Sequence, residues 1–285
     1  MAIRIDGKAI AAQVRAEVRE QVTDLQNQGI CPGLAVILVG DDPASRIYVN
    51  NKKKACADVG IHSEEFTLPA STSQDELLAL VQELNGRTDI HGILVQSPLP
   101  DGLDEKAVVA SIAPQKDVDA FHAVNVGHIM IGDYRFVPCT PAGIIEMLDR
   151  TGISVDGREC VVVGRSDIVG KPMAMLLLHR NGTVTLCHSH TKNLAEVTRR
   201  ADILVAAVGK PRFITADMIK PGAVVIDVGM DRDENGKLCG DVDEQAAEEL
   251  ASYRTPVPGG VGPMTIAMLM KNTVNAAKWQ NGLTD

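Results

Sequence analysis

The chain has 285 residues, a formal net charge of −9 at neutral pH, and a composition that is 45% hydrophobic and 23% charged. Because it is acidic and its only run of three basic residues is Lys52-Lys53-Lys54, a nucleic acid is not expected as its main partner. No apolar stretch reaches the length of a membrane span, the first residues do not read as a signal peptide, and the six cysteines are widely spaced. These features predict a cytoplasmic protein with reduced thiols and no membrane partner.

In the first half of the chain, apolar runs of strand length alternate with helical patterns. This alternation is typical of α/β proteins with a mainly parallel sheet. The predicted elements are a strand over 33–40, a helix from Pro43, a strand at EEFTLP, a helix closed by Gly86, and a strand at IHGILVQ that ends in a proline-rich loop.

The second half restarts this alternation after a connecting helix over 138–152. Its predicted elements are the strand ECVVVG, a helix from Pro172, the strand TVTLCHS, a helix near 193–200, the strands DILVAAVG and AVVIDVG, the turn-rich TPVPGGVGP, and a last helix from about Met264 to Trp279. We therefore predict two α/β domains flanking a cleft, the second a Rossmann-type dinucleotide-binding domain with a parallel sheet. The expected boundaries are 1–139, completed by a C-terminal helix 265–285, and 140–264.

The segment GRSDIVGKP between a strand and a helix resembles a dinucleotide-binding turn, although it is not a regular G-x-G-x-x-G. Gly164 supplies the tight turn, Ser166 stands where the second glycine is usual, and Gly170 comes one residue late. The following helix N-terminus favours a phosphate group, which supports nucleotide binding.

The next strand favours NADP over NAD. An NAD site usually has an acidic residue near the end of this strand, but the residues 186–190 read Leu-Cys-His-Ser-His. Arg165 and Ser189 could hold a 2′-phosphate; the alternative is an ordinary surface arginine and a loop serine. The Cys and His residues of this segment lack a second ligand pair, so we expect no metal there.

Three polar side chains of the first half, Tyr48, Lys52 and Gln96, are candidates for catalysis. Tyr48 and Lys52 lie four residues apart on a predicted helix and share its apolar face, whereas Lys53 and Lys54 point to solvent. Lys52 either extends its amine out to water or projects it into a cleft. Gln96 ends a predicted strand, at the sheet edge where α/β proteins bind ligands, so the two groups are expected to converge.

Two loops add further candidates for substrate binding. In KDVD, one of Asp117 and Asp119 could cap the following turn, and the other could accept hydrogen bonds from an aminopyrimidine-like edge. In PVPGGVGP, Pro258, Gly259 and Gly260 form a stiff segment whose glycines would let the backbone approach a flat ligand; otherwise it is an interdomain linker.

Together these segments resemble the bifunctional methylenetetrahydrofolate dehydrogenase/methenyltetrahydrofolate cyclohydrolase family over nearly the whole chain. The motifs that carry the resemblance, in order, are YVNNK (48–52), GILVQSPLP (92–100), KDVD (116–119), PCTP (138–141), GRSDIVGKP (164–172), CHSHT (187–191) and PVPGGVGPMT (256–265). The resemblance implies NADP-dependent oxidation of a folate derivative, hydrolysis of the product in one-carbon metabolism that feeds purine biosynthesis, and a homodimer.

The resemblance also implies roles for individual residues. Lys52 would be the central catalytic residue, tuned by Gln96, with Tyr48 along the aminobenzoate and Asp119 on the pterin ring. The other implied positions are Pro258, Gly259 and Gly260 beside the substrate, and Gly164, Arg165, Ser166, Gly170, Ser189 and Thr140 on the cofactor side. The sequence departs from the family pattern at Ala120, where KDVDG is usual, and at His190, where a basic residue is common.

Two alternatives remain open from the residues alone. One is a two-domain NAD(P)-dependent dehydrogenase of an unrelated small substrate, which would not need Lys52, Gln96 and Asp119 to converge. The other is a non-catalytic dinucleotide-sensing protein, which gives no reason for a lysine on a buried helix stripe.

Overall fold

The computed structural model describes residues 1–283. Its helices and strands, in chain order, are β1 (Ile3–Arg4), α1 (Gly7–Asn27), β2 (Gly33–Val39), α2 (Pro43–Val59), β3 (His62–Leu68), α3 (Gln74–Gly86), β4 (Gly92–Val95), α4 (Glu105–Ser111), α5 (Ala123–Ile131), α6 (Cys139–Arg150), β5 (Glu159–Val163), α7 (Gly170–His179), β6 (Thr183–Cys187), α8 (Leu194–Thr198), β7 (Ile203–Ala206), β8 (Val224–Asp227), β9 (Asp231–Arg232), β10 (Leu238–Cys239), α9 (Glu244–Leu250), β11 (Tyr253–Arg254) and α10 (Val261–Gln280). Among these helices, none is both long and apolar enough to cross a membrane.

The chain forms two compact units. One contains Met1–Ala12 and Thr140–Thr265, and the other contains Gln13–Cys139 and the C-terminal segment from Ile266. The chain thus passes from one unit to the other within α1, at the start of α6 and within α10.

The first unit is built on a parallel six-stranded sheet with the order β1-β11-β8-β7-β5-β6. Its central strands are runs of buried Val, Ile, Leu and Ala, as expected for strands covered on both faces. A short antiparallel pair, β9 and β10, stands apart from this sheet. The parallel α/β class predicted from the sequence is therefore present.

The second unit contains a parallel three-stranded sheet with the order β3-β2-β4. Every residue of β2 is buried, and β2 lies between the other two strands. One face packs on α3 and α4 through a hydrophobic cluster that includes Ile37, Ile93, Leu77 and Val108. Because β2 and β4 are parallel neighbours, the residues that follow them meet at one sheet edge.

Three of the differences from the predicted boundaries bear on the two units and the cofactor turn. Residues 1–12, assigned to the first domain, belong to the unit with Thr140–Thr265 because β1 pairs with β11. The helix expected from Pro172 begins at Gly170, since the Oγ atom of Ser166 already accepts from the backbone N–H groups of Val169 and Gly170. Of the helix expected over 265–285, residues 284 and 285 lie outside the described residues, and α10 begins earlier, at Val261.

Candidate functional site

Lys52 and Gln96 meet at the carboxyl edge of the three-stranded sheet. Lys52 lies on α2, which follows β2, and Gln96 directly follows β4. The Nζ atom of Lys52 donates to Oε1 of Gln96 at 3.0 Å, and the amide nitrogen of Gln96 donates to the carbonyl of Ser97 at 2.6 Å. Lys52 is half-buried, whereas Lys53 and Lys54 on the same helix are exposed. The structure thus joins a lysine amine to a neutral amide acceptor.

Asp119 lies near this pair. Burial raises the pKa of Asp119 to about 6, although the Lys52 cation acts in the opposite direction and Asp117 adds a smaller upward effect. The Sγ atom of Cys139 lies 3.8 Å from Oδ1 of Asp119 and donates to it. Asp119 can therefore gain or lose a proton close to neutral pH.

The remaining residues of KDVD hold the loop in place. Lys116 is buried, and its Nζ atom donates to the carbonyls of Leu84 and Arg87 at 2.9 and 2.5 Å, at the end of α3. Asp117 accepts from the backbone N–H groups of Phe121 and His122, at 3.2 and 2.8 Å. Of the two aspartates, Asp117 is therefore the one that caps the turn.

The position after Asp119 is a backbone irregularity. Ala120 has a φ of 59° and its side chain is fully buried. A positive φ favours glycine, which explains physically why glycine is usual at this position in the family pattern.

Tyr48 and Asn272 complete the polar surroundings. Tyr48 lies one turn before Lys52 on α2 and is 43% exposed, so its ring is accessible from solvent. Asn272, on α10, is buried and its amide nitrogen donates to the carbonyls of Val118 and Val137 at 2.8 and 3.0 Å. Sequence reasoning missed Asn272; its only signal was an amide within a mostly apolar helix.

The candidate cofactor turn lies between β5 and α7 in the other unit. Gly164 has a φ of 125°, and a Cβ atom there would stand 2.0 Å from the carbonyl oxygen of Ala207. A Cβ atom on Gly170 would stand 2.0 Å from the carbonyl oxygen of Gly164. Both glycines are therefore required by close backbone packing, despite the irregular spacing of the motif.

The residues expected near a 2′-phosphate lie after neighbouring strands. Arg165 follows β5 and Ser189 follows β6, whose last residues Val163 and Cys187 are partners in the parallel ladder. Both side chains are exposed. Within residues 1–283, no group of three or more His, Cys, Asp or Glu side chains is arranged to hold a metal ion.

Thr140 and the proline-glycine loop also belong to this unit. The hydroxyls of Thr140 and Thr265 are 2.9 Å apart and share a hydrogen bond. Pro258 is exposed and Gly259 has a φ of 102°. A Cβ atom on Gly260 would stand 2.5 Å from the carbonyl oxygen of Pro256, so this glycine is required by the fold of the loop itself, in addition to any role beside a ligand.

Comparison with known protein families covers both units. Residues 5–119 match the tetrahydrofolate dehydrogenase/cyclohydrolase catalytic domain, and residues 138–281 match the NAD(P)-binding domain of the same family. The bifunctional protein FolD of Acetivibrio thermocellus is 61% identical over 276 residues, which are 97% of each chain.

Solved structures agree with this assignment. The bifunctional FolD enzyme of Campylobacter jejuni is 47% identical, with a TM-score of 0.96 over 99% of this chain and 100% of that one. The FolD enzyme of Trypanosoma brucei, solved with NADP and an inhibitor, is 41% identical, with a TM-score of 0.93 over 98% of each chain. The chain therefore belongs to the tetrahydrofolate dehydrogenase/cyclohydrolase family.

Proposed function

We propose that this chain is a bifunctional one-carbon folate enzyme. It oxidises 5,10-methylenetetrahydrofolate to 5,10-methenyltetrahydrofolate with NADP and then hydrolyses the product to 10-formyltetrahydrofolate. The observation that carries this proposal is the 3.0 Å hydrogen bond between Lys52 and Gln96, beside Asp119, in a chain of this family. A dehydrogenase of an unrelated substrate or a dinucleotide sensor would leave this polar group unexplained.

The two units divide the work in this proposal. The unit with Gln13–Cys139 binds the folate, with Asp119 accepting hydrogen bonds from the pterin ring and Tyr48 lying along the aminobenzoate. The unit with Thr140–Thr265 binds NADP, and its residues Pro258, Gly259 and Gly260 also contribute to binding of the substrate.

The turn between β5 and α7 fits a dinucleotide. Gly164 and Gly170 bring backbone segments close together, and the exposed segment 165–168 precedes the N-terminus of α7, where a phosphate is favoured. Arg165 and Ser189 supply a cation and a hydroxyl for the 2′-phosphate, and Ser166 and Thr140 lie on the same cofactor side. When bound, NADP supplies the hydride acceptor.

Oxidation of the methylene group needs positioning more than acid–base catalysis. The nitrogen lone pairs of the folate stabilise the cation that forms when hydride leaves, so no protein group has to move a proton in this step. Asp119 and Tyr48 contribute by fixing the orientation of the substrate.

Hydrolysis does need proton transfer. Water adds to the methenyl carbon and the bond from that carbon to N5 breaks. Of the two protons of the water, one is transferred to N5 and the other is released. Lys52 relays these protons, and the Gln96 oxygen holds its amine in place without forming an ion pair. Loss of a positioned acid–base group of this kind typically slows a reaction by about 100- to 10,000-fold.

The test is the variant Lys52→Met, with Lys53→Met as its matched control. Lys53 is an exposed neighbour whose Nζ atom lies 3.4 Å from Glu65, so its loss should leave both activities intact. Lys52→Met should abolish hydrolysis of methenyltetrahydrofolate while NADP binding, measured by fluorescence titration, persists. Unchanged formation of 10-formyltetrahydrofolate would contradict the role of Lys52.

Cofactor choice has a separate test. Arg165→Ala should weaken NADP binding much more than NAD binding, because only NADP carries the 2′-phosphate. Arg158→Ala is the control, since Arg158 is exposed at the opposite end of the same strand. Equal losses for the two cofactors would contradict recognition of the 2′-phosphate by Arg165.

We further propose that the enzyme acts in the cytoplasm as a homodimer. All six cysteines lie within the described residues and are free thiols, as expected in a reducing compartment. The resemblance to the family supports the dimer. Sedimentation that gives the mass of a single chain at micromolar concentration would contradict it.

A further inference from the structure

Glu105 and Ser97 form a polar pair just beyond Gln96. The hydroxyl of Ser97 donates to a carboxylate oxygen of Glu105, the first residue of α4. The start of α4 is fixed separately, because the side chain of Asp104 accepts from the N–H groups of Lys106 and Ala107 at 3.0 and 3.2 Å. Glu105 is therefore presented to Ser97 from an anchored position and is not needed as a helix cap.

This pair is connected to Lys52 through one amide. The carbonyl of Ser97 accepts from the side-chain nitrogen of Gln96, and the oxygen of the same amide accepts from Lys52. A glutamine amide has one donating and one accepting end, so the group that binds the nitrogen decides where the oxygen points. The backbone carbonyl of Ser97 thus determines that the oxygen of Gln96 faces the lysine.

A small cavity lies between the same pair and the folate-side aspartates. Its volume is about 20 Å³, enough for one water molecule. Polar residues on its wall include Ser97, Glu105, Asp117 and Asp119. The cavity therefore borders both the Ser97–Glu105 pair and Asp119.

We propose that Glu105 is a positioning residue for the hydrolytic step, which acts through Ser97 to keep the Gln96 oxygen facing Lys52. This proposal rests on the proposed function, in which Lys52 handles the protons of hydrolysis. Without Glu105, the Ser97 hydroxyl loses its partner and the loop that carries the Ser97 carbonyl is less restrained. The Gln96 nitrogen then loses its fixed acceptor and can turn toward the lysine. Two donors would then face each other, which disfavours the productive arrangement.

The experiment compares Glu105→Ala and Ser97→Ala with the conservative variants Glu105→Gln and Ser97→Thr. Glu105→Ala and Ser97→Ala should lower kcat for methenyl hydrolysis about tenfold, equivalent to about 1.4 kcal/mol, with KM changed less than about twofold. Their pH–rate profile for hydrolysis should also shift, because the partner of the proton-handling amine has changed. Glu105→Gln and Ser97→Thr should retain most of kcat, since the first keeps an acceptor for the Ser97 hydroxyl and the second keeps the donating hydroxyl.

Asp101→Asn serves as the matched control, because Asp101 is an exposed carboxylate in the same loop. It should leave kcat and the pH profile of hydrolysis unchanged. Melting temperature and NADP affinity, recorded for all variants, separate a positioning defect from a folding defect. A Glu105→Ala enzyme with wild-type kcat and pH profile would overturn the proposal, as would losses shared equally by Asp101→Asn.

The outcome is distinguishable from failure of the proposed function. If Lys52→Met still hydrolyses methenyltetrahydrofolate in the same assay, the role of Lys52 fails. If Lys52→Met is inactive but Glu105→Ala and Ser97→Ala match the wild type, only the positioning role of Glu105 fails.

Discussion

Replacement of Gly170 by alanine tests whether backbone packing defines the cofactor turn. The new Cβ atom would stand 2.0 Å from the Gly164 oxygen and 2.9 Å from the Cα atom of Arg165. Because nonbonded atoms pack best at about 3.5 Å or more, the turn has to retreat by about 1.5 Å. The obstacle is backbone, which cannot rotate away as a side chain can.

The magnitude follows from this geometry. Overpacking in a well-packed interior costs about 1–3 kcal/mol, and the absence of a flexible neighbour puts Gly170→Ala near the upper end. We expect a loss of about 3 kcal/mol in the free energy of unfolding and, at about 2–4 °C per kcal/mol, a melting temperature lower by about 6–12 °C. The displaced turn should also weaken NADP binding, whereas hydrolysis of methenyltetrahydrofolate should persist below the melting temperature.

The assays are thermal unfolding with and without NADP, and the KM for NADP in the dehydrogenase reaction. Gly127→Ala is the control, because Gly127 lies within α5 and a Cβ atom there would meet no atom within 4 Å. That variant should be as stable as the wild type or gain up to about 1 kcal/mol from helix propensity. A Gly170→Ala enzyme with unchanged melting temperature and unchanged KM for NADP would refute the packing argument.

Three further predictions concern the folate-side unit, which contains Gln13–Cys139 and the segment from Ile266. Lys116→Met should lower the free energy of unfolding by about 2 kcal/mol in urea titrations. Two charge-assisted hydrogen bonds to carbonyls are lost, and only part of the burial cost of the ammonium is recovered. An unchanged free energy of unfolding would contradict this prediction. Burial lowers the pKa of His91, and the Lys116 cation acts in the same direction. The unfolded chain therefore binds the proton of His91 more tightly than the folded chain does, so the free energy of unfolding should fall as the pH drops below about 6.5. His91→Gln should flatten this slope between pH 5 and 7, and an unaltered slope would count against it. Ala120→Gly should change the free energy of unfolding by less than about 1 kcal/mol. Relief of the positive φ is offset by the added entropy of the unfolded chain and by the lost burial of a methyl group. A change of more than about 2 kcal/mol in calorimetry would show that one of these effects dominates.

Much of the architecture was predictable because the sequences of buried parallel strands are continuous runs of apolar residues. The convergence of Lys52 and Gln96 was predictable for a related reason, since both follow strands whose carboxyl ends share a sheet edge. The long helix α1 was missed although buried residues recur along it with helical spacing, at Val14, Val18 and Val22. Its exposed charges gave it little average hydrophobicity, and only the periodic pattern carried the signal.

Other features depend on contacts that sequence patterns do not encode. β1 and β11 are two residues long, too short to be recognised before their pairing is known. The amide of Asn272 contacts carbonyls more than 130 positions earlier in the chain, so nothing in its local sequence indicates this role. The bond between Ser97 and Glu105 likewise depends on the path of a loop.

The interleaving of the two units constrains the order in which the chain can fold during its synthesis. β1 is made first, yet its partner β11 emerges from the ribosome near the end. The folate-side unit must likewise wait for α10, which brings Asn272 to Val118 and places Met270 against Cys56. Domains generally fold as units while the N-terminal part is still being made, but here both units remain incomplete until the last helix is available. Premature termination before β11 would therefore damage both halves together, because one would lack a strand of its sheet and the other would lack α10.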